Sequence, residues 1–320
     1  MLDYIIRRLL LLLISLILVT MLVSLVVRLL PGNAVQVLAA QQGFTAPTDL
    51  VKLRHDLGLD KPWPVQYWNW ATGVLHGDFG KSLRTRRPIS VELRARLPVT
   101  FELAAFALVI AVGIAIPVGV LSAMQRNTLI DYVARSFAIA GVALPGFWIA
   151  TLVVVWPAVW WHWSPPLTYT AFRADPVKNL AQMWLPALLL GLYFVGFLMR
   201  MTRAMMLEVL RSDYVRTALA KGLGGLAILR RHSLRNALVP IVTVVGLQIP
   251  VLIGGAVVYE SIFSVPGIGR LLLEAAQNRD YPVIQGIDLI LAAIVLLLNL
   301  VVDLSYSILD PRVRLTGGRS

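Results

Sequence analysis

The chain of 320 residues contains no cysteine, which excludes a disulfide framework, a thiolate metal site and a cysteine nucleophile. Charge is scarce too: 14% of residues are Asp, Glu, Lys or Arg, against 58% hydrophobic, and the mean hydropathy is +0.75. A soluble domain of that balance would have almost no polar surface, so lipid is the solvent for much of this chain. Histidine occurs four times, at His55, His76, His162 and His232, with no spacing that would bring two onto one metal ion. A Gly-x-Ser-x-Gly elbow is missing, and no span reads as holding two carboxylates placed together for acid and base work. The chain is therefore read as carrying no catalytic, metal or cofactor-binding residues. The formal charge of +12, from 29 basic against 17 acidic residues, comes without any basic helix interleaved with aromatics, so nucleic acid is not the partner.

What is present is a series of apolar stretches long enough to cross about 30 Å of hydrocarbon, some 20 residues each. Six are legible. The first runs from Leu9 to about Val27, behind Arg7 and Arg8, and stops at Pro31-Gly32. It exceeds the apolar core of a signal peptide, and Val37-Leu38-Ala39 is a poor cleavage site, so it reads as an uncleaved span. Pro98 reads as a first helical position opening a second span to about Ala123. Thr128 and Asp131 fit a capping box for a third span over about 132–158, with a kink expected at Gly141 and Pro145-Gly146. The fourth covers about 184–201, the fifth about 238–258 with Pro240 and Pro250 inside, and the sixth about 283–306. The fold class is thus all-α integral membrane, with six transmembrane helices and a small extracytoplasmic subdomain after the first. Four segments follow: 1–30, the tail and first helix; 31–97, the subdomain; 98–310, a five-helix core with a loop at 204–237; and 311–320, a tail.

Orientation follows from basic residues. Fifteen lie in the N-terminus, the second-to-third turn, the fourth-to-fifth segment and the tail, against four in the two short loops opposite. The positive-inside bias then places both termini in the cytoplasm; the subdomain's nine basic residues lie in a loop too long to be counted. Aromatics at Trp63, Tyr67, Trp68 and Trp70 suit the membrane interface. Two motifs mislead. Gly80-Lys81-Ser82 looks like the end of a phosphate-binding loop, but position 75 is Leu75 rather than glycine. Gly222-Leu223-Gly224-Gly225-Leu226-Ala227 matches a dinucleotide fingerprint but lacks the preceding strand.

The hydrophilic segment around 204–237 is where a partner should dock. Asp213 to Leu223 reads as a short helix started by Ser212 or Asp213 and stopped by Gly222. At Arg216-Thr217-Ala218-x-Ala220-Lys221-Gly222, followed by His232-x-Leu234-Arg235-Asn236-Ala237, the chain resembles permease subunits of ATP-binding-cassette importers. The match is to the B-type subunit of the dipeptide, oligopeptide, nickel and glutathione group. Arg216 stands where the general motif has glutamate. Seven further fragments carry the likeness in order, among them Leu57-Gly58-Leu59-Asp60-Lys61-Pro62, Glu260-Ser261-Ile262-Phe263-Ser264-Val265-Pro266-Gly267-Ile268-Gly269-Arg270 and Arg279-Asp280-Tyr281-Pro282.

The resemblance implies a heteromeric importer in the bacterial inner membrane: this chain and a second permease subunit as a heterodimer, two ATPase subunits holding ATP and Mg, and an extracytoplasmic solute-binding protein. It implies that Asp213, Tyr214, Arg216, Thr217, Ala218, Ala220, Lys221 and Gly222 couple to the ATPase, and that Glu260, Arg270 and Asp280 face the binding protein. Within the spans, Thr243, Gln248, Asn299 and Asp303 are candidates for the pathway. Asp303 has a second expected role, pairing with Arg200 or Arg203, and Gln248 beside Pro250 is the better candidate because proline loosens the helix. An ion-coupled carrier would show an intramembrane relay or two similar halves, and an assembly factor would not need Gly222.

Overall fold

The computed structural model describes residues 2–29, 35–37, 39, 47–56, 58–166, 168–213, 215, 217 and 234–309. Among them the secondary structure is helical, with one isolated bridge between Lys81 and Pro88. The helices are α1 (Leu2–Leu29), α2 (Pro47–Asp56), α3 (Trp63–Leu75), α4 (Ile89–Met124), α5 (Leu129–Ala143), α6 (Gly146–Trp161), α7 (Pro176–Leu210), α8 (Leu234–Ile262), α9 (Ile268–Gln277) and α10 (Tyr281–Leu309). Long apolar stretches mark five of them as spans: Ile6–Leu29, Ile89–Met124, Pro176–Leu210, Pro240–Ile262 and Tyr281–Val302. The pair α5 and α6 passes the same test together and makes a sixth when taken as one span.

That pair, at the place of the third span in chain order, differs from the expected kink: its halves meet at 93°. Leu144 is extended (φ −87, ψ 132) because the ring of Pro145 disfavours helical backbone in the residue before it, and proline has no N–H to continue the ladder. The helix therefore ends and restarts. Pro98 is not a first helical position either, since α4 starts nine residues earlier, where Ile89 and Leu93 are buried and Glu92 pairs with Arg96 at 3.2 Å. The capping box is also corrected. Thr128 occupies the cap position, but its hydroxyl donates to Gln125 O at 2.7 Å, and Asp131 is engaged elsewhere.

Two compact units divide the chain differently from the four sequence segments: residues 1–100 with 266–301, and 101–265 with 302–320. In the first, Val27, Ile89, Leu93, Ile268, Tyr281 and Ile287 form the core. Gly267 begins α9 without a side chain to cap it, and the Thr100 hydroxyl takes that role by accepting the Ile268 N–H at 2.9 Å.

In the second unit α7 is central, packed by α5, α6 and α8. Lipid offers no hydrophobic force between helices, so close packing must hold them, and small residues allow it. A Cβ on Gly191 would lie 2.8 Å from Ala107 O, and one on Gly196 would lie 2.6 Å from Ala138 O. These two glycines set the approach of α7 to α4 and α5.

Candidate functional site

The end of α4, the start of α5 and the last turns of α7 come together at the end of the second unit from which the 204–237 segment emerges. Asn127, in the left-handed conformation (φ +63), turns the chain there, and Asn tolerates that conformation. Its N–H donates to Asp131 Oδ2 at 3.0 Å, and Ser122 Oγ donates to Oδ1 at 2.6 Å. Arg203 completes the set with two parallel bonds, Nε to Oδ1 at 2.7 Å and Nη2 to Oδ2 at 2.8 Å. The Asp131 side chain is 0% exposed and that of Arg203 19%. Four donors around one carboxylate and a planar fork on the cation make a rigid clamp. Arg203, one of the two expected partners for Asp303, is thus committed to Asp131.

Beside the clamp, Ala123, Met206 and Ala237 are buried together, with Val120, Leu210 and Leu234 packed on them. Both flanks of the segment, the last turns of α7 and the first turn of α8, are therefore fastened to the end of α4. Of the expected coupling residues, Asp213 and Thr217 are described and exposed, and the Thr217 hydroxyl donates to Asp213 O at 2.9 Å. Val215 between them is buried, and its N–H donates to Ser212 O at 3.1 Å. Those bonds suit a helix beginning at Ser212. Tyr214, Arg216, Ala218, Ala220, Lys221 and Gly222 lie outside the described residues, as does the glycine run after them.

Thr243 and Gln248 are half-buried on α8, on either side of Gly246, and Asn299 on α10 is exposed. The Asp303 side chain is outside the described residues. Sequence reading misses Asp288, although an acid inside an apolar span is its own signal; its Oδ2 is buried with no partner among the described residues. It misses Glu102 as well, which accepts a hydrogen bond from the Tyr169 hydroxyl at 2.9 Å.

Of the three outer residues, Glu260 is 0% and Asp280 4% exposed, whereas Arg270 is half-exposed beside Glu274 at 2.9 Å. Asp280 faces inward: it accepts from Ser82 Oγ at 2.5 Å, Leu83 N at 3.0 Å and Arg84 N at 3.4 Å. The hydroxyl that ends the phosphate-loop lookalike and the two amides after it are thus taken by a carboxylate of the same chain, which repels a phosphate.

Profiles of two families match the chain. One, the N-terminal part of binding-protein-dependent transport system membrane components, matches residues 1–104. The other, the binding-protein-dependent transport system inner membrane component, matches residues 115–315. The dipeptide transport system permease protein DppB of Escherichia coli K12 is 40% identical over 98% of this chain and 99% of its own length. A putative peptide transport system permease of Brucella abortus is 42% identical, covering 92% of this chain and 94% of that protein. A probable peptide ABC transporter permease of Sinorhizobium fredii is 38% identical over 97% and 99%. Among solved structures, an amino acid ABC transporter with histidines superposes at a TM-score of 0.51 and 17% identity, over 70% of this chain and 94% of that one. That likeness speaks for the fold alone.

Proposed function

The chain belongs to the binding-protein-dependent transport system inner membrane components, and on that premise we propose that it forms, with a second permease subunit, the path for a di- or oligopeptide. The peptide arrives on an extracytoplasmic binding protein. Two ATPase subunits, holding ATP and Mg, supply the energy, and this chain itself performs no hydrolysis. Both termini and the 204–237 segment lie in the cytoplasm, where Asp213, Tyr214, Arg216, Thr217, Ala218, Ala220, Lys221 and Gly222 meet an ATPase.

The observation that carries this reading is the fastened base of the segment. A pull on a loop tethered to one flexible strand would dissipate locally. Here both flanks pack against the end of α4, next to a four-donor clamp, so a pull is delivered to α4, α7 and α8 together. The Gln248 amide on α8, eleven residues from the buried Ala237, is positioned to feel that movement, with Thr243, Asn299 and Asp303 as further pathway groups. Of the outer residues, Arg270 has the exposure that a docking contact needs. The peptide assignment draws on the relatives, which are named for dipeptide and peptide transport.

Reconstitution tests it. In liposomes carrying the complete transporter, uptake of a labelled dipeptide should require ATP and the ATPase subunits. Gly222→Asp should leave membrane insertion and yield intact and abolish uptake. Transport by this chain without an ATPase, or full uptake by the variant, refutes the reading.

A further inference from the structure

Next to the clamp, the α4–α5 turn and the last turns of α7 enclose an open groove of about 590 Å³, lined by Arg126, Arg135, Arg203, Glu208 and Arg211 among others. Asp131 neutralises Arg203. Arg126, Arg135 and Arg211 are exposed and form no ion pair with a described acid, so three cations face one carboxylate, that of Glu208. Arg135 lies over the ring of Tyr132 at 5.8 Å, which steadies its planar fork.

The chain has little with which to fill this groove. Residues 214–233 contain Arg216, Lys221, Arg230 and Arg231 and no acid, and residues 310–320 set Asp310 against Arg312, Arg314 and Arg319. An acidic occupant of the groove would therefore come from outside the chain. A lipid phosphate is one source and an acidic protein segment another, and the groove's length separates them. Its α7 wall runs from Arg203 to Arg211, which at 1.5 Å per residue is about 12 Å along the axis. One head-group layer is only about 5–8 Å deep. The wall continues through Ser212 directly into the segment that begins at Asp213.

We propose that this arginine-lined groove is a second docking site for the ATPase subunit, taking an acidic helix or loop of that protein beside the 213–222 contact. The inference rests on the importer reading above. Two contacts resist rotation of the ATPase about a single helix, and arginine forks bind carboxylates two bonds at a time.

The test uses the full permease pair in nanodiscs with the purified ATPase and measures its affinity between about 50 and 300 mM salt. Arg126→Gln/Arg135→Gln/Arg211→Gln should weaken binding about tenfold near physiological salt, as expected for three exposed ion pairs, and flatten the salt dependence. Arg211→Gln alone should show a smaller shift of the same kind and keeps the test open if the triple variant is unstable. Unchanged affinity and salt dependence overturn the proposal and leave the importer reading intact; failure of the wild-type permease to bind any ATPase overturns both. A defect seen with phosphatidylglycerol in the discs but absent in phosphatidylcholine alone assigns the groove to a lipid head group and overturns it as well.

Discussion

Removing Asp131 is expected to be among the most damaging single changes in the second unit. In Asp131→Ala, Arg203 keeps its charge at 19% side-chain exposure without its partner, and the Ser122 hydroxyl and Asn127 N–H lose their acceptor. Breaking a buried pair costs about 3–5 kcal/mol; partial hydration of Arg203 places the expected loss near the lower figure, about 3 kcal/mol. Arg203→Ala should cost at least as much, since the abandoned carboxylate is 0% exposed. At about 2–4 °C per kcal/mol for a unit of this size, Asp131→Ala lowers the melting midpoint by about 6–12 °C. The assay is tryptophan fluorescence of detergent-purified protein at one fixed scan rate, because melting of such proteins is irreversible. In the same assay the double variant's midpoint should fall by less than the two single variants' shifts together. A shift under about 2 °C for Asp131→Ala, or strict additivity in the double variant, would refute the clamp.

Other perturbations bear on separate parts of the chain. Asp280→Ala strands the Ser82 hydroxyl and the Leu83 N–H, at about 1–3 kcal/mol each, and should speed trypsin cleavage at Arg84 and Arg86 at least tenfold; an unchanged digestion rate contradicts it. Gly196→Ala gains helix propensity worth about 1 kcal/mol but drives a methyl to within 2.6 Å of the Ala138 carbonyl, an overpacking cost toward the upper end of about 1–3 kcal/mol, so a net loss of about 1–2 kcal/mol is expected, and an equal or higher melting midpoint would count against it. Burial, and then the hydrogen bond to Glu102, raise the Tyr169 phenol above its ordinary value. The folded chain therefore keeps a proton that unfolded tyrosine loses near pH 10, and this contribution, complete below about pH 10, is lost as pH rises further. Tyr169→Phe should fall less steeply in stability over that alkaline range, and an identical decline in both proteins would remove Tyr169 as the cause.

The helices were legible because hydropathy is summed along the chain, and each apolar run from Leu9 onward carries its own signal. Their ends were less so. The start of α4 at Ile89 depends on Ile89 and Leu93 being buried against partners from α10, and nothing beside Pro98 announces them. The α9 helix, with its cap supplied by Thr100 from 168 residues away, was invisible for the same reason. Asp131 is the instructive case: Thr128 three residues before it is a local pattern for a cap, and a local pattern has no means of weighing Arg203, 72 residues on, which binds the carboxylate more strongly.

By itself the sequence determined the solvent of this protein, its helical class, its run of spans and the likeness of the 213–222 segment to a coupling motif, since all of these are encoded in composition, hydropathy and short motifs. Only the tertiary structure decided that the third crossing is broken at 93°, that Asp280 turns inward to hold the Ser82 loop, and that Asp131 and Arg203 lock the end from which that segment springs. Charge pairing and close backbone approach act over a few ångströms in space whatever the distance along the chain, so their partners appear only once the helices are packed.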